Sequence, residues 1–173
     1  MFYQQGLFGE LSNLSQGARA VKSGTDQEIL VEKILVELGV LSVTWNVCNQ
    51  NTLGHVPVVL FKQVPYIGVI GSQGKSDFLL CNNLSGNKIR IEVKAQFVGG
   101  SADEKLDRLI NNCAVFKERD VIIIMEGNGF RPGTREYIVN IASKIPDKNI
   151  NIFNIGQFRS YVKEIVPSGL TQR

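Results

Sequence analysis

The segment Asp77-Phe78-Leu79-Leu80-Cys81 is followed by the polar turn Asn82-Asn83-Leu84-Ser85-Gly86-Asn87 and then by Lys88-Ile89-Arg90-Ile91-Glu92-Val93-Lys94. The first piece is an apolar run of strand length, and the third alternates polar and apolar residues strictly, which is the period of a strand. Joined by a turn of this composition, they predict two adjacent antiparallel strands. Successive side chains of a strand leave opposite faces, so Glu92 and Lys94 share a face with Lys88 and Arg90, opposite Ile91 and Val93. Asp77 heads the preceding strand, and the hairpin can carry its carboxylate to Glu92 at the sheet edge. Two carboxylates and a lysine would then converge.

Upstream, Ile29, Leu30, Val31, Ile34, Leu35 and Leu38 recur at spacings of three, four and seven, predicting an amphipathic helix over Glu28 to Leu38. Thr25 or Asp26 reads as its N-cap, Glu28 as a first-turn carboxylate favoured by the helix dipole, and Gly39 as its glycine stop. From Val40 to Val69, residues rich in Val and aromatics are broken by Asn49-Gln50-Asn51, Gly54, Pro57 and Pro65, which suggests short strands and loops. Gly71, Gly74 and Lys75 read as a turn into Asp77. Downstream of Gly99-Gly100, Ser101 and Glu104 stand at capping-box spacing, opening a helix to about Phe116 with Leu106, Leu109, Ile110 and Cys113 on its buried face. Val121-Ile122-Ile123-Ile124-Met125 is a continuous apolar run, as expected of a central strand covered on both faces. A strand at Ile150 to Ile155 and a helix at Gln157 to Ile165 follow. The order of helix, several strands, helix, strand, strand, helix predicts an α/β fold with a mixed central sheet flanked by helices on two sides. One domain is expected over residues 1–173, with its core at about 24–125 and the C-terminal strand and helix at 150–166.

Composition narrows the function less than the pattern does. Nineteen basic residues against sixteen acidic ones give a formal charge of +3, a slight excess that permits contact with a polyanion without selecting it. Cys48, Cys81 and Cys113 are odd in number and widely spaced, without a Cys or His at metal-ligand spacing, which fits a reduced, cytoplasmic protein. Residues Met1 to Gly24 lack a basic segment followed by an apolar run, and the chain has no window of eighteen apolar residues, so neither export nor membrane insertion is expected. His55 stands without a second His or an acidic neighbour, which disfavours a histidine-centred nuclease. Gly71-Ser72-Gln73-Gly74-Lys75-Ser76 ends like a phosphate loop. Its first Gly is at the wrong distance, however, and a strand follows where a helix is required, which excludes an NTPase.

What remains is the group Asp77, Glu92 and Lys94. Hydrolysing a phosphodiester requires charge to be offset on the phosphate and leaving oxygens, and an attacking water deprotonated near neutral pH. Asp77 and Glu92 offer hard oxygen ligands of the kind magnesium prefers, and Lys94 could orient or activate the water or stabilise charge at phosphorus. The competing reading is a sheet edge with a solvated charged face. The carboxylate of Asp77 at the head of the partner strand argues for a site.

On these residues the chain resembles the PD-(D/E)xK nuclease superfamily, which includes many restriction endonucleases and the archaeal Holliday-junction resolvases. Its pattern of Asp, a variable gap and Glu-x-Lys on a strand reads here as Ser76-Asp77, fourteen residues, then Glu92-Val93-Lys94. Members often carry a glutamate on the first helix, in a context that Gly24, Glu28 and Gly39 reproduce in spacing. Ser76 departs from the proline of the motif's name. The resemblance covers Gly24 to Met125 and implies an αβββαβ core. It implies an endodeoxyribonuclease dependent on Mg2+, for which Mn2+ can substitute, of the type II restriction kind. It also implies a metal role for Glu28, acting through water, beside Asp77 and Glu92; Glu32, one turn on, competes for that place. Restriction-type cleavage implies a homodimer, because one site cuts one strand. A junction-type nuclease, or a non-catalytic DNA-binding protein on the same fold, are the alternatives. The expected DNA contacts are Lys75, Gln96, Ser101, Lys105, Arg108 and Arg131. Asn49 to Phe61 and Gly127 to Arg135 are the candidate base-reading segments, the latter because Arg131 and Arg135 flank a turn at Phe130 to Gly133.

Overall fold

Alternating and helical periodicities resolve into helix α1 (Gln16–Glu37), strands β1 (Leu41–Thr44), β2 (Val58–Ile67), β3 (Gln73–Asn82) and β4 (Lys88–Ala95), and helix α2 (Ala102–Cys113). Strand β5 (Asp120–Glu126), helix α3 (Thr134–Ala142), strand β6 (Asn149–Phe153) and helix α4 (Ile155–Ile165) complete the chain. The computed structural model describes the backbone of residues 16–46, 51–97 and 102–170, and the side chains of 24–46, 51–97 and 106–170. The expected capping box of Ser101 and Glu104, and the DNA contacts assigned to Ser101 and Lys105, lie outside the described residues, as does Cys48.

The six strands form one mixed sheet in the order β1-β2-β3-β4-β5-β6. β2, β3 and β4 form an antiparallel meander, while β1 runs parallel to β2, β5 to β4 and β6 to β5. The expected αβββαβ core is therefore present as α1, β2-β3-β4, α2 and β5. The carboxyl ends of β2, β4, β5 and β6 meet the amino end of β3 and the β2–β3 turn along one edge of the sheet.

Each face is covered by two helices. Val31, Ile34 and Leu35 of α1 and Phe158 and Val162 of α4 pack on Phe78, Leu80, Ile91, Val93, Ile122 and Ile124. On the opposite face, Leu106, Leu109, Ile110 and Cys113 of α2 and Ile138 of α3 pack on Val121, Ile123 and Met125. Burial on both faces explains why β5 reads as an unbroken apolar run. Buried Cys81 and Cys113 are free, and burial pushes their thiols up to about 11 and about 12, out of the reactive range. Among the described residues no helix is long and apolar enough to cross a membrane.

Several expectations need correction. α1 begins at Gln16, so neither Thr25 nor Asp26 is its N-cap and Glu28 lies in its middle turns. The small and polar residues 23–26 mimic a cap, but helical hydrogen bonding runs through them. The other end is as expected. Gly39 takes φ +86°, the Gly39 N–H donates to the Val36 carbonyl and the Val40 N–H to the Leu35 carbonyl, the paired bonds of a Schellman stop. β2 is ten residues long and includes Pro65, which is tolerated because β1 pairs with β2 only as far as Lys62. Gly74 and Lys75 belong to strand β3 and not to a turn. α2 ends at Cys113, short of Phe116. β6 ends at Phe153, and α4 starts two residues before Gln157, with Asn154 and Gln157 forming a capping box. α3 occupies residues where no helix was expected, because Pro132-Gly133 and the exposed Tyr137 and Val139 obscure its pattern.

Candidate active site

The site lies where β3 and β4 part. Their ladder runs from Cys81↔Lys88 to Phe78↔Ile91 and goes no further. Beyond it the Val93 N–H donates to the Asp77 carboxylate at 2.6 Å, so a side chain replaces the next strand carbonyl. On its other side Asp77 also leaves the β2 ladder, which passes from Lys62↔Phe78 to Val64↔Ser76. Gln63, opposite Asp77, has φ +58°, a left-handed conformation uncommon for a non-glycine residue. The local break in pairing turns Asp77 toward β4.

Lys94 joins the carboxylates. Its Nζ lies 3.0 Å from Glu92 Oε2 and 3.5 Å from Asp77 Oδ2, and donates to the Val93 carbonyl at 3.0 Å. Burial opposes a charge on Lys94, but Glu92 and Asp77 outweigh it and hold the ammonium above its usual range. Glu92 is only 4% exposed, and one oxygen, Oε1, has no hydrogen-bond partner among the described residues. Burial, opposed by Lys94 and reinforced by Asp77, pushes its carboxyl up to about 7.

The structure separates the two helix carboxylates. Glu32 accepts from Ser42 Oγ at 2.7 Å and from Lys62 Nζ at 2.8 Å; these bonds overcome burial and lower its pKa. Glu28 instead feels Asp77 and Lys94. Its pKa is raised by burial and by the Asp77 charge, with Lys94 opposing. Glu28 is thus the helix residue electrically coupled to the group. Among the described residues no three His, Cys, Asp or Glu side chains close around one point. Two carboxylates, one with a free buried oxygen, suit a cation such as Mg2+ that keeps several waters.

The same strand face carries a feature the sequence reading missed. Arg90 is not on a solvated face but 4% exposed. Its Nε donates to Glu118 at 2.7 Å, its Nη1 donates to Ser76 Oγ, and its guanidinium stacks on Phe116, 4.7 Å from the ring centroid. Ser76 Oγ donates in turn to the Val64 carbonyl at 3.2 Å. A buried network therefore grips the residue next to Asp77. The period-two pattern put Arg90 on this face, but its partner lies 28 residues on.

The expected DNA contacts divide. Lys75, Arg108 and Arg131 are exposed, and Arg108 donates to Ser72 Oγ at 3.2 Å. Gln96 is turned inward: its Nε2 donates to the Gly129 carbonyl at 2.9 Å and its backbone pairs with Glu126 and Gly129. It ties down the loop after β5, where Gly127 is needed because a Cβ would lie 2.3 Å from the Gln96 carbonyl oxygen. Arg135 follows the turn at Phe130 to Gly133, and its guanidinium is turned to the sheet. It sits in α3 and donates to the Met125 and Ile152 carbonyls at 3.1 and 3.4 Å.

No curated protein matches the chain. Among solved structures, SfsA of Pyrococcus furiosus in complex with Ca2+ aligns at 13% identity with a TM-score of 0.40. The alignment covers 78% of this chain and 56% of that one, so this chain spans little more than half of that protein's length. A family model described as the PD-(D/E)XK nuclease superfamily domain matches residues 19–165. That superfamily comprises nucleases, which generally use divalent metals such as Mg2+, together with non-catalytic members. With this match running from the first helix through the last, the chain belongs to the PD-(D/E)XK nuclease superfamily.

Proposed function

We propose that the chain is a Mg2+-dependent endodeoxyribonuclease of the type II restriction kind, with Mn2+ able to substitute, acting as a cytoplasmic homodimer. The observation that carries this is the convergence of Asp77, Glu92 and Lys94 with one buried oxygen of Glu92 left without a partner among the described residues. A buried carboxylate oxygen without a hydrogen bond is costly, and a bound cation would satisfy it. Asp77 and Glu92 would hold the ion, with Glu28 as an outer carboxylate. A divalent cation there supplies a Lewis acid at the phosphate and lowers the pKa of bound water.

The chain's own groups do the rest. Lys94, held as an ammonium, is a poor base at neutral pH. It is suited to donate to a phosphate oxygen as charge builds and to orient the attacking water. Asp77 accepts from the Val93 N–H and from Lys94 at one oxygen, Oδ2, which fixes the orientation of its carboxylate before any ligand arrives. Exposed Lys75, Arg108 and Arg131 supply phosphate contacts, with Ser101 and Lys105 proposed as further ones from the sequence.

Supercoiled plasmid incubated with the purified chain in Mg2+ should be cut, and cutting should stop with EDTA and in Asp77→Ala and Lys94→Ala. Discrete fragments would give sequence specificity. Intact plasmid and intact branched DNA, with Mg2+ and with Mn2+, would overturn the proposal in favour of a binding-only protein.

A further inference from the structure

The turn joining β2 to β3 presents three large aliphatic side chains to solvent: Ile67 is 59% exposed, Val69 49% and Ile70 79%. Tight turns are ordinarily built from polar residues, so an apolar tip is unusual. It is also braced. The Gly68 N–H donates to the Ser72 carbonyl and the Gly71 N–H to the Gly68 carbonyl, each at 2.8 Å. Buried Asn112 of α2 accepts from the Val69 N–H at 3.2 Å and donates to the Tyr66 hydroxyl at 3.2 Å. Gly68 allows this approach, since a Cβ there would lie 2.8 Å from Asn112 Oδ1. Arg108 adds its bond to Ser72. A rigid frame thus holds the aliphatic side chains outward.

The tip's position gives it an occupant. It stands on the sheet edge where β4 delivers Lys94, at the head of the strand that carries Asp77, with exposed Lys75 on that strand and exposed Arg108 bonded to Ser72 of the turn. At about 3.3 Å per strand residue, Gln73 at the head of β3 is roughly 13 Å along the strand from Asp77, a span of about four base pairs, and the turn lies beyond it. We infer that Val69 and Ile70 form a wedge that enters the base stack of duplex DNA bound at Asp77, Glu92 and Lys94, while Lys75 and Arg108 hold the flanking phosphates. This inference rests on the nuclease reading and deepens it: the substrate is a duplex opened at one step near the cut. Aliphatic side chains between base pairs unstack and kink the helix, most easily at pyrimidine–purine steps.

The test uses duplexes carrying 2-aminopurine at successive positions, bound in EDTA so that no strand is cut, with fluorescence anisotropy for affinity. The wild-type chain should raise 2-aminopurine fluorescence at one step. The double variant Val69→Ser/Ile70→Ser should raise none and bind on the order of ten-fold more weakly. Val139→Ser, which removes an exposed aliphatic side chain elsewhere, should behave as wild type. Equal fluorescence and equal affinity in the double variant would overturn the wedge while plasmid cleavage stood. A wild-type chain that binds no duplex and cuts no plasmid would sink the nuclease reading itself. A double variant that keeps the fluorescence signal but sediments as a monomer where wild type is a dimer would assign the tip to a second copy and overturn the wedge.

Discussion

Arg90 and Glu92 are two residues apart on one face of β4 and equally hidden from water, yet the protein completes them differently. Arg90 is partnered: Glu118, Ser76 and the Phe116 ring all meet its guanidinium. Glu92 keeps an oxygen without a partner among the described residues, and its other oxygen meets Lys94. A buried ion held by an opposite charge and a ring is scaffold, and a carboxylate with an oxygen left unmet is poised for something to arrive. The two clusters are joined through Ser76-Asp77, so the closed one sets the backbone from which the open one reaches.

The largest effect should come from the open cluster and appear only in activity. Asp77→Ala and Lys94→Ala should each slow plasmid cleavage by on the order of a thousand-fold. Urea unfolding should show little loss of stability; unfolded variants would break the contrast.

The closed cluster should behave oppositely. Glu118→Ala leaves the buried Arg90 charge short of its main partner and should cost about 3 kcal/mol in urea unfolding at pH 7. The pH dependence has a definite sign. Burial tends to raise the Glu118 pKa, but Arg90 outweighs it and holds the carboxyl below its ordinary value of 4.5. A depressed folded-state pKa contributes stability that is complete above the unfolded value and lost as pH falls through the folded one. The gap between wild type and Glu118→Ala should therefore be flat from pH 6 to 8 and close in acid; a constant gap down to pH 2 would contradict the pairing.

The helix carboxylates give a finer discrimination. Glu28→Gln should reduce cleavage by about ten-fold and weaken Mn2+ binding measured by calorimetry. Glu32→Gln, whose target is a part-exposed pair with Lys62, should leave both unchanged and cost no more than about 1 kcal/mol. Reversed results would exchange their roles. The smallest effect on stability is that of Glu92→Gln. Without metal its stability should stay within about 1 kcal/mol of wild type, since the substitution removes a charge that burial already disfavours. A loss as large as that of Glu118→Ala would show that Glu92 is scaffold after all.

Local pattern alone determined much here. Strict alternation from Lys88 to Lys94, the preceding apolar run and the turn between them named the hairpin, and with it Asp77, Glu92 and Lys94 as a group. The unbroken Val121 to Met125 run named the doubly covered strand, and Gly39 the end of the first helix. These signals are local because strand period and left-handed backbone preference act within a few residues.

Tertiary structure decided the rest, because it depends on partners far along the chain. Glu28 and Glu32 are alike in sequence, one helical turn apart, and only Lys62 and Ser42 across the fold divert Glu32. Arg90 looks solvated until Phe116 and Glu118 cover it. Arg135 reads only as the flank of a turn until the ends of two strands claim its guanidinium. Periodicity determines which face of an element a side chain takes, while packing determines whether that face meets water, a core or an opposite charge.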